Sequence, residues 1–171
     1  LPRLLRYGRG SPYRDLQLPC GGGLEILLLP RPDLVALETL DAERGARRPA
    51  TLIVDTATGD MSLAREGRTE RDGATLRVRF EPEPRFAVFG KGPEAETFAA
   101  LVVAAGYPAV LLSPDKELLR AGAAAGAEVR QLKKPGFPED LGIDERTAIV
   151  LFFHDHDWEP DILVGALATP A

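Results

Sequence analysis

Runs of apolar residues divide the chain into two halves in which the predicted elements follow different orders. In the first half, short alternating runs separated by turn signals predict strands at 24–29, 51–55, 61–65 and 74–80. Asp33 predicts the start of a helix that continues to about residue 43. In the second half, strands predicted at 86–90, 109–113, 127–131 and 147–153 alternate with helices predicted near 94–105, 115–124 and 159–168.

The two orders of elements predict an α/β protein with two domains. Strands that alternate with helices at this spacing are typical of a parallel sheet with right-handed crossovers. We therefore expect a small N-terminal α+β domain over residues 1–84, followed by a Rossmann-like parallel-sheet domain over residues 85–171. The joint between them is Glu81-Pro-Glu-Pro84, a stiff charged segment. The chain begins at Leu1 and stops directly after an apolar helical segment, so we expect both ends of the protein to extend further.

A glycine-containing turn after the first strand of the second half predicts an anion-binding corner. Phe86-Ala-Val-Phe-Gly90-Lys91-Gly92-Pro-Glu-Ala95 runs from an apolar strand into a helix start. Backbone N–H groups and the positive end of a helix dipole meet there, and missing side chains let a phosphate come close. The alternative is a tight turn that binds nothing.

Parallel sheets bind ligands at the carboxyl ends of their strands, so the loops after three strands should share one rim. These loops are 90–92, 113–115 and 154–158. Ser113 stands at the end of the second strand, where a dinucleotide site carries an acidic residue, and Asp115 follows two places later. This is a poor match to an NAD site.

Cys20 and the two histidines are the further candidates for chemistry. Cys20 precedes Gly21, Gly22 and Gly23, which give the thiol little cover and offer N–H groups that would stabilise a thiolate. Such a sulfur suits a soft metal or sulfur transfer, whereas a buried apolar role is the alternative. His154 and His156 share one loop, but residues two apart on an extended segment point to opposite sides. The alternative for that loop is a plain turn in which Asp157 caps the next helix.

Composition narrows the classes of function. A net charge of −5 with scattered charges argues against a nucleic-acid binder. No apolar run is long enough to span a bilayer, so we expect no membrane partner. One cysteine excludes an internal disulfide framework and fits the cytoplasm.

Four segments, in order, resemble the XdhC/CoxI family, the accessory proteins of xanthine dehydrogenase and related molybdenum hydroxylases. The first is Cys20-Gly21-Gly22 before a Leu-Glu-Ile strand, with Leu4-Leu-Arg-Tyr7 upstream. The others are the glycine loop at 86–95, the apolar strand that ends in His154-Asp-His156, and the helix at 163–170. Together they span essentially the whole chain.

The resemblance implies a chaperone without turnover of its own. It would bind the molybdenum cofactor as cargo, as molybdopterin or its cytosine dinucleotide form, and deliver it to an apo-hydroxylase after sulfuration by a cysteine desulfurase. Cys20 would lie at the molybdenum or its exchanging sulfur, beside Gly21 and Gly22. Gly90, Lys91 and Gly92 would hold the phosphate, and Ser113, His154 and His156 would border the site. A homodimer stays open.

Two other functions remain open from the sequence alone. An NAD(P)-dependent oxidoreductase would use the same glycine loop, with His154 as its general acid. A non-catalytic interaction domain would use the glycine turn only as structure and would be indifferent to the loss of Cys20. Ligand binding separates all three.

Overall fold

A computed structural model describes residues 1–12, 19, 21–154 and 156–171. The chain divides into two units, Leu1–Pro82 and Glu83–Ala171. No helix among these described residues is long and apolar enough to cross a membrane.

The first unit combines a hairpin, one helix and an antiparallel sheet. Its elements are β1 (Arg3–Gly8), β2 (Gly23–Leu28), α1 (Leu34–Gly45), β3 (Ala50–Asp55), β4 (Met61–Ala64), β5 (Glu70–Asp72) and β6 (Thr75–Phe80). Strands β1 and β2 pair with each other, and the remaining strands form a sheet in the order β4-β3-β6-β5. All of these pairs are antiparallel.

Helix α1 and strand β3 supply the core of the first unit. Asp33 caps the helix because its carboxylate accepts hydrogen bonds from the N–H groups of Val35 and Ala36, at 2.9 and 3.2 Å. Leu40 then packs with Leu52 and its neighbours on β3, and these side chains are buried. The predicted helix start at Asp33 and the hairpin between β3 and β4 are both present.

The second unit is a parallel sheet with helices on its faces. Its elements are β7 (Arg85–Gly90), α2 (Pro93–Ala104), β8 (Ala109–Ser113), α3 (Lys116–Ala124), β9 (Glu128–Gln131), a 3₁₀ turn (Glu139–Leu141), β10 (Thr147–Phe152) and α4 (Glu159–Leu167). The strand order is β10-β7-β8-β9, with every pair parallel.

Both faces of the parallel sheet are covered, which explains its continuous apolar runs. Val88 and Leu111 are fully buried on the side of α2 and α3. Phe89 and Leu112 are fully buried on the other side, where Ile162 of α4 packs.

The order of the strands creates a crevice beside β7. The chain leaves β7 towards β8 on one side, and β10 later returns on the other side of β7. Ligands of open α/β sheets bind where the strand order reverses in this way, outside the carboxyl ends of the strands. The crevice therefore lies between the end of β7 at Gly90 and the end of β10 at Phe152.

The α/β class predicted from the sequence is confirmed, and three details differ. Strands β1 and β5 were not among the predicted elements. The alternative in which Asp157 caps the last helix is wrong, because α4 begins at Glu159 with Trp158 at the cap position and no side-chain cap.

Candidate functional site

The glycine turn after β7 is a place of close packing. A methyl group built on Gly90 would lie 2.6 Å from Cβ of Ala95 and 2.8 Å from the carbonyl oxygen of Phe152. The backbone N–H of Lys91 also donates to that same carbonyl, at 3.2 Å. Only glycine at position 90 therefore lets α2 and β10 approach the end of β7 so closely.

Gly92 occupies the cap position of α2, and no side chain caps this helix. Its φ of 167° is extended backbone that any residue adopts. Pro93 follows at the first helical position, and Ala95 is fully buried one turn in. Because the first N–H groups of a helix have no partners within the helix, those at this uncapped end can donate hydrogen bonds to an anion.

Lys91 and Trp158 bring the loop after β10 to the same crevice. Nζ of Lys91 lies 5.7 Å from the centroid of the Trp158 ring, in the geometry of a cation–π contact. The Trp158 ring stacks on Phe153, with centroids 5.8 Å apart and planes 9° apart. A cationic side chain is thus held beside the glycine turn.

His154 joins the crevice through a glutamate that the sequence analysis did not single out. Nε2 of His154 lies 3.5 Å from Oε1 of Glu94, in the first turn of α2. His156 is exposed in the turn before α4, and Asp155 lies outside the described residues. Among the residues that the structure describes, no group of three or more His, Cys, Asp and Glu side chains could hold a metal ion.

Ser113 and Asp115 hold the turn between β8 and α3. Ser113 is fully buried, and its hydroxyl accepts a hydrogen bond from the N–H of Asp115 at 3.1 Å. The Asp115 carboxylate accepts from the N–H groups of Glu117 and Leu118, at 2.8 and 3.4 Å, and so caps α3. The acidic group nearest to the ribose position of an NAD site is therefore engaged by the protein itself. A role of Ser113 towards a cofactor stays a prediction.

The hairpin of the first unit carries the Cys20 segment. Cys20 lies outside the described residues, whereas Gly21 and Gly22 are described. The carbonyl of Gly22 accepts a hydrogen bond from the N–H of Arg9 at 3.0 Å, next to the closing pair of the hairpin, Gly8 and Gly23. A methyl group on Gly8 would lie 2.3 Å from the Gly22 oxygen. Gly8, in Tyr-Gly-Arg-Gly10, thus lets the Gly22 carbonyl lie close to the end of β1. The sequence analysis missed this residue.

One hollow of the second unit is lined by residues 130–138, and of two others one adjoins the crevice. This shallow hollow of about 360 Å³ is lined by Pro93, Glu94, Thr97, Phe98, Leu101 and Phe152. The other, of about 150 Å³, lies at the amino-terminal ends of the strands, where Arg85, Ala109 and Thr147 line it. The wall of the hollow beside the crevice is mostly apolar.

The structure thus brings Gly90, Lys91, Gly92 and His154 together at one crevice, with Ser113 behind the end of the neighbouring strand β8. No family model matches the chain. In an alignment of 169 positions that covers 96% of its length, the chain is 31% identical to the molybdenum cofactor insertion chaperone PaoD of Escherichia coli (strain K12). This chain is similar to a molybdenum cofactor chaperone.

The similarity covers part of a longer relative. The chain spans 46% of the length of PaoD. Among solved structures, the fold resembles that of a xanthine dehydrogenase from Bacillus halodurans, with a TM-score of 0.67 and 16% identity. That match covers 96% of this chain and 57% of the other. At this identity the likeness establishes the α/β fold and nothing finer.

Proposed function

We propose that the chain is the cofactor-binding part of an XdhC/CoxI-type chaperone. It would protect the molybdenum cofactor and deliver it to a molybdenum hydroxylase of the xanthine dehydrogenase type. The observation that carries this proposal is the 31% identity to PaoD, which extends over both units of the chain. The crevice beside β7 supports it independently, because it offers a place for a phosphorylated ligand.

The glycine turn would hold the phosphate end of the cofactor. In molybdopterin this end is the pterin phosphate, and in the cytosine dinucleotide form it is a pyrophosphate. The uncapped N-terminus of α2 would donate N–H groups to it, and Lys91 would add a positive charge at the same crevice. His154 and His156 would border the bound cofactor.

Cys20 would face the molybdenum end of the cofactor. A thiolate is a soft ligand that suits molybdenum and its exchangeable sulfur. Gly21, the residue that follows Cys20 in the sequence, has a φ of +69° and would have open space around an added side chain. Neighbouring N–H groups would stabilise the thiolate form.

The expected partners follow from delivery as the function. A chaperone of this kind has no turnover of its own and must meet a molybdenum hydroxylase apo-enzyme. A cysteine desulfurase would supply the sulfur before transfer, and a homodimer remains a further proposal. The lone cysteine of the chain fits action in the cytoplasm.

Anaerobic binding of molybdenum cofactor tests the proposal. The titration is made with the full chain, with Cys20→Ala and with Cys20→Ser, in the absence and presence of NAD(P). We expect wild-type binding, weaker binding by both cysteine variants, and no competition by NAD(P). Unchanged binding by both variants would show that Cys20 does not contact the metal end of the cofactor. Binding of NAD(P) without binding of the cofactor would favour an oxidoreductase and overturn the chaperone function.

A further inference from the structure

Glu94 places a negative charge in front of the glycine turn. A methyl group built on Gly92 would lie 2.8 Å from Oε2 of Glu94, so this carboxylate lies over the turn. Its other oxygen, Oε1, is 3.5 Å from Nε2 of His154. One side chain therefore spans the crevice from the start of α2 to the loop that follows β10.

The carboxylate lies close to the turn that an incoming phosphate would approach. Negative groups are favoured at a helix N-terminus because of the helix dipole, and α2 has no side-chain cap of its own. The negative charge of Glu94 thus repels any anion that approaches the N–H groups at the start of α2. Half of the Glu94 side chain and 77% of the His154 side chain are exposed, so the contact between them is weak and can be displaced.

We propose that Glu94 is a specificity-determining residue of the crevice. This inference rests on the proposed function, in which the glycine turn holds the phosphate end of a cofactor. Because repulsion grows with the charge of the ligand, Glu94 weakens the binding of a small, highly charged anion more than that of a larger ligand that carries less charge at the turn. Small free anions then bind too weakly to occupy the turn, whereas a ligand with further contacts along the crevice still binds. Glu94 would in this way keep the turn open for the cargo.

Binding of inorganic pyrophosphate to the full chain tests the role of Glu94. Trp158 is the single tryptophan of the chain and lies at the crevice, so its fluorescence reports binding. The variants are Glu94→Gln and the control Glu96→Gln, which removes an equal charge from the same helix turn. Calorimetry on the same samples checks the affinities.

We expect Glu94→Gln to bind pyrophosphate about three to ten times more tightly than the wild type, as one nearby charge in solvent implies. Glu96→Gln should change the affinity by less than about twofold. Raising the salt from about 0.05 to about 0.5 M should narrow the gap between Glu94→Gln and the wild type, because screening weakens a charge effect and leaves a steric one.

An equal effect of the two substitutions would overturn the inference, as would weaker binding by Glu94→Gln or no binding by any of the three proteins. Titration of the same proteins with molybdenum cofactor separates this failure from that of the proposed function. If the cofactor binds and Glu94→Gln does not favour pyrophosphate, only the role of Glu94 is wrong. If the cofactor does not bind, the proposed function fails whatever pyrophosphate does.

Discussion

Gly90 and Gly92 flank Lys91 in the same turn, yet they differ in how closely their neighbours approach. A methyl group on Gly90 would meet Cβ of Ala95 and the backbone of Phe152, whereas on Gly92 it would meet only the end of the Glu94 side chain. We expect Gly90→Ala to lower the free energy of unfolding of the second unit by about 1–3 kcal/mol. Gly92→Ala should change it by no more than about 0.5 kcal/mol.

Urea unfolding followed by Trp158 fluorescence measures this difference, because the single tryptophan lies in the second unit. Equal midpoints for Gly90→Ala and the wild type would show that β10 and α2 do not approach Gly90 as closely as the structure has them. Gly92→Ala serves as the control for adding a methyl group to the turn.

Gly8 and Gly10 allow a matched comparison at the hairpin that carries the Cys20 segment. Their φ angles are nearly equal, +81° and +80°, so an alanine is strained at both positions. Only Gly8 also lies against the Gly22 oxygen, since the nearest atoms to a methyl group on Gly10 are 3.8 Å away. Gly8→Ala should therefore destabilise the β1–β2 pairing by more than about 1 kcal/mol beyond the effect of Gly10→Ala.

Hydrogen exchange of the amides of β1 and β2 is the measurement for the Gly8 prediction. Faster exchange in Gly8→Ala than in Gly10→Ala is the expected result. Similar exchange in both variants would mean that the left-handed backbone alone matters at position 8. Cofactor binding by the two variants would then show whether the position of the Gly22 carbonyl affects the neighbouring cysteine.

At the level of elements, one glutamate links the hairpin to the antiparallel sheet. Glu25 on β2 lies opposite Arg6 on β1 and accepts a hydrogen bond from its Nε at 3.0 Å. Arg71 on β5 also donates to Glu25, from Nη1 at 2.7 Å. The hydrogen bond from Arg6, together with the charges of both arginines, holds the pKa of Glu25 below its ordinary value of 4.5.

The stabilising effect of Glu25 should depend on pH. Because its pKa is lower in the folded state, the stabilisation is present above pH 4.5 and is lost as the pH falls through the folded pKa. We expect Glu25→Gln to speed amide exchange in β2 at pH 7, measured against the wild type at the same pH. The difference should disappear in acid, below the folded pKa.

Glu38→Gln is the control, since Glu38 is exposed on α1 and has no ion-pair partner among the residues that the structure describes. It should leave exchange in β2 unchanged at both pH values. A Glu25→Gln effect that persists in acid would point to packing instead of charge.

The elements that were predicted well from the sequence are those whose own residues form a recognisable pattern, such as a helix cap or an apolar run. Helix α1 begins where Asp33 can cap it, and β7 is an apolar run that ends at a glycine. Strand β5, Glu-Arg-Asp72, has no apolar pattern, and it forms because the turn at Gly73 lays it against β6. Strand β1 was missed because its partner, β2, follows only after 14 intervening residues.

At the level of the whole molecule, the alternation of strands and helices predicted which loops meet at one rim, but not the order of the strands. That order puts β10 beside β7, and with it the His154 loop beside the start of α2. The contact between Glu94 and His154 joins residues 60 positions apart, so no local pattern could reveal it. The same holds for the approach of Gly8 to the Gly22 carbonyl.

The position of β10 beside β7 also has a consequence for synthesis on the ribosome. Thr147, the first residue of β10, is made 57 residues after Gly90. At a synthesis rate of about 5–20 residues per second, β10 is made roughly three to eleven seconds after β7. During that time one edge of β7 has no partner strand. The glycine turn, made early, thus has no second wall until β10 is in place. A nascent chain would therefore acquire the crevice beside β7 only after β10 has been made.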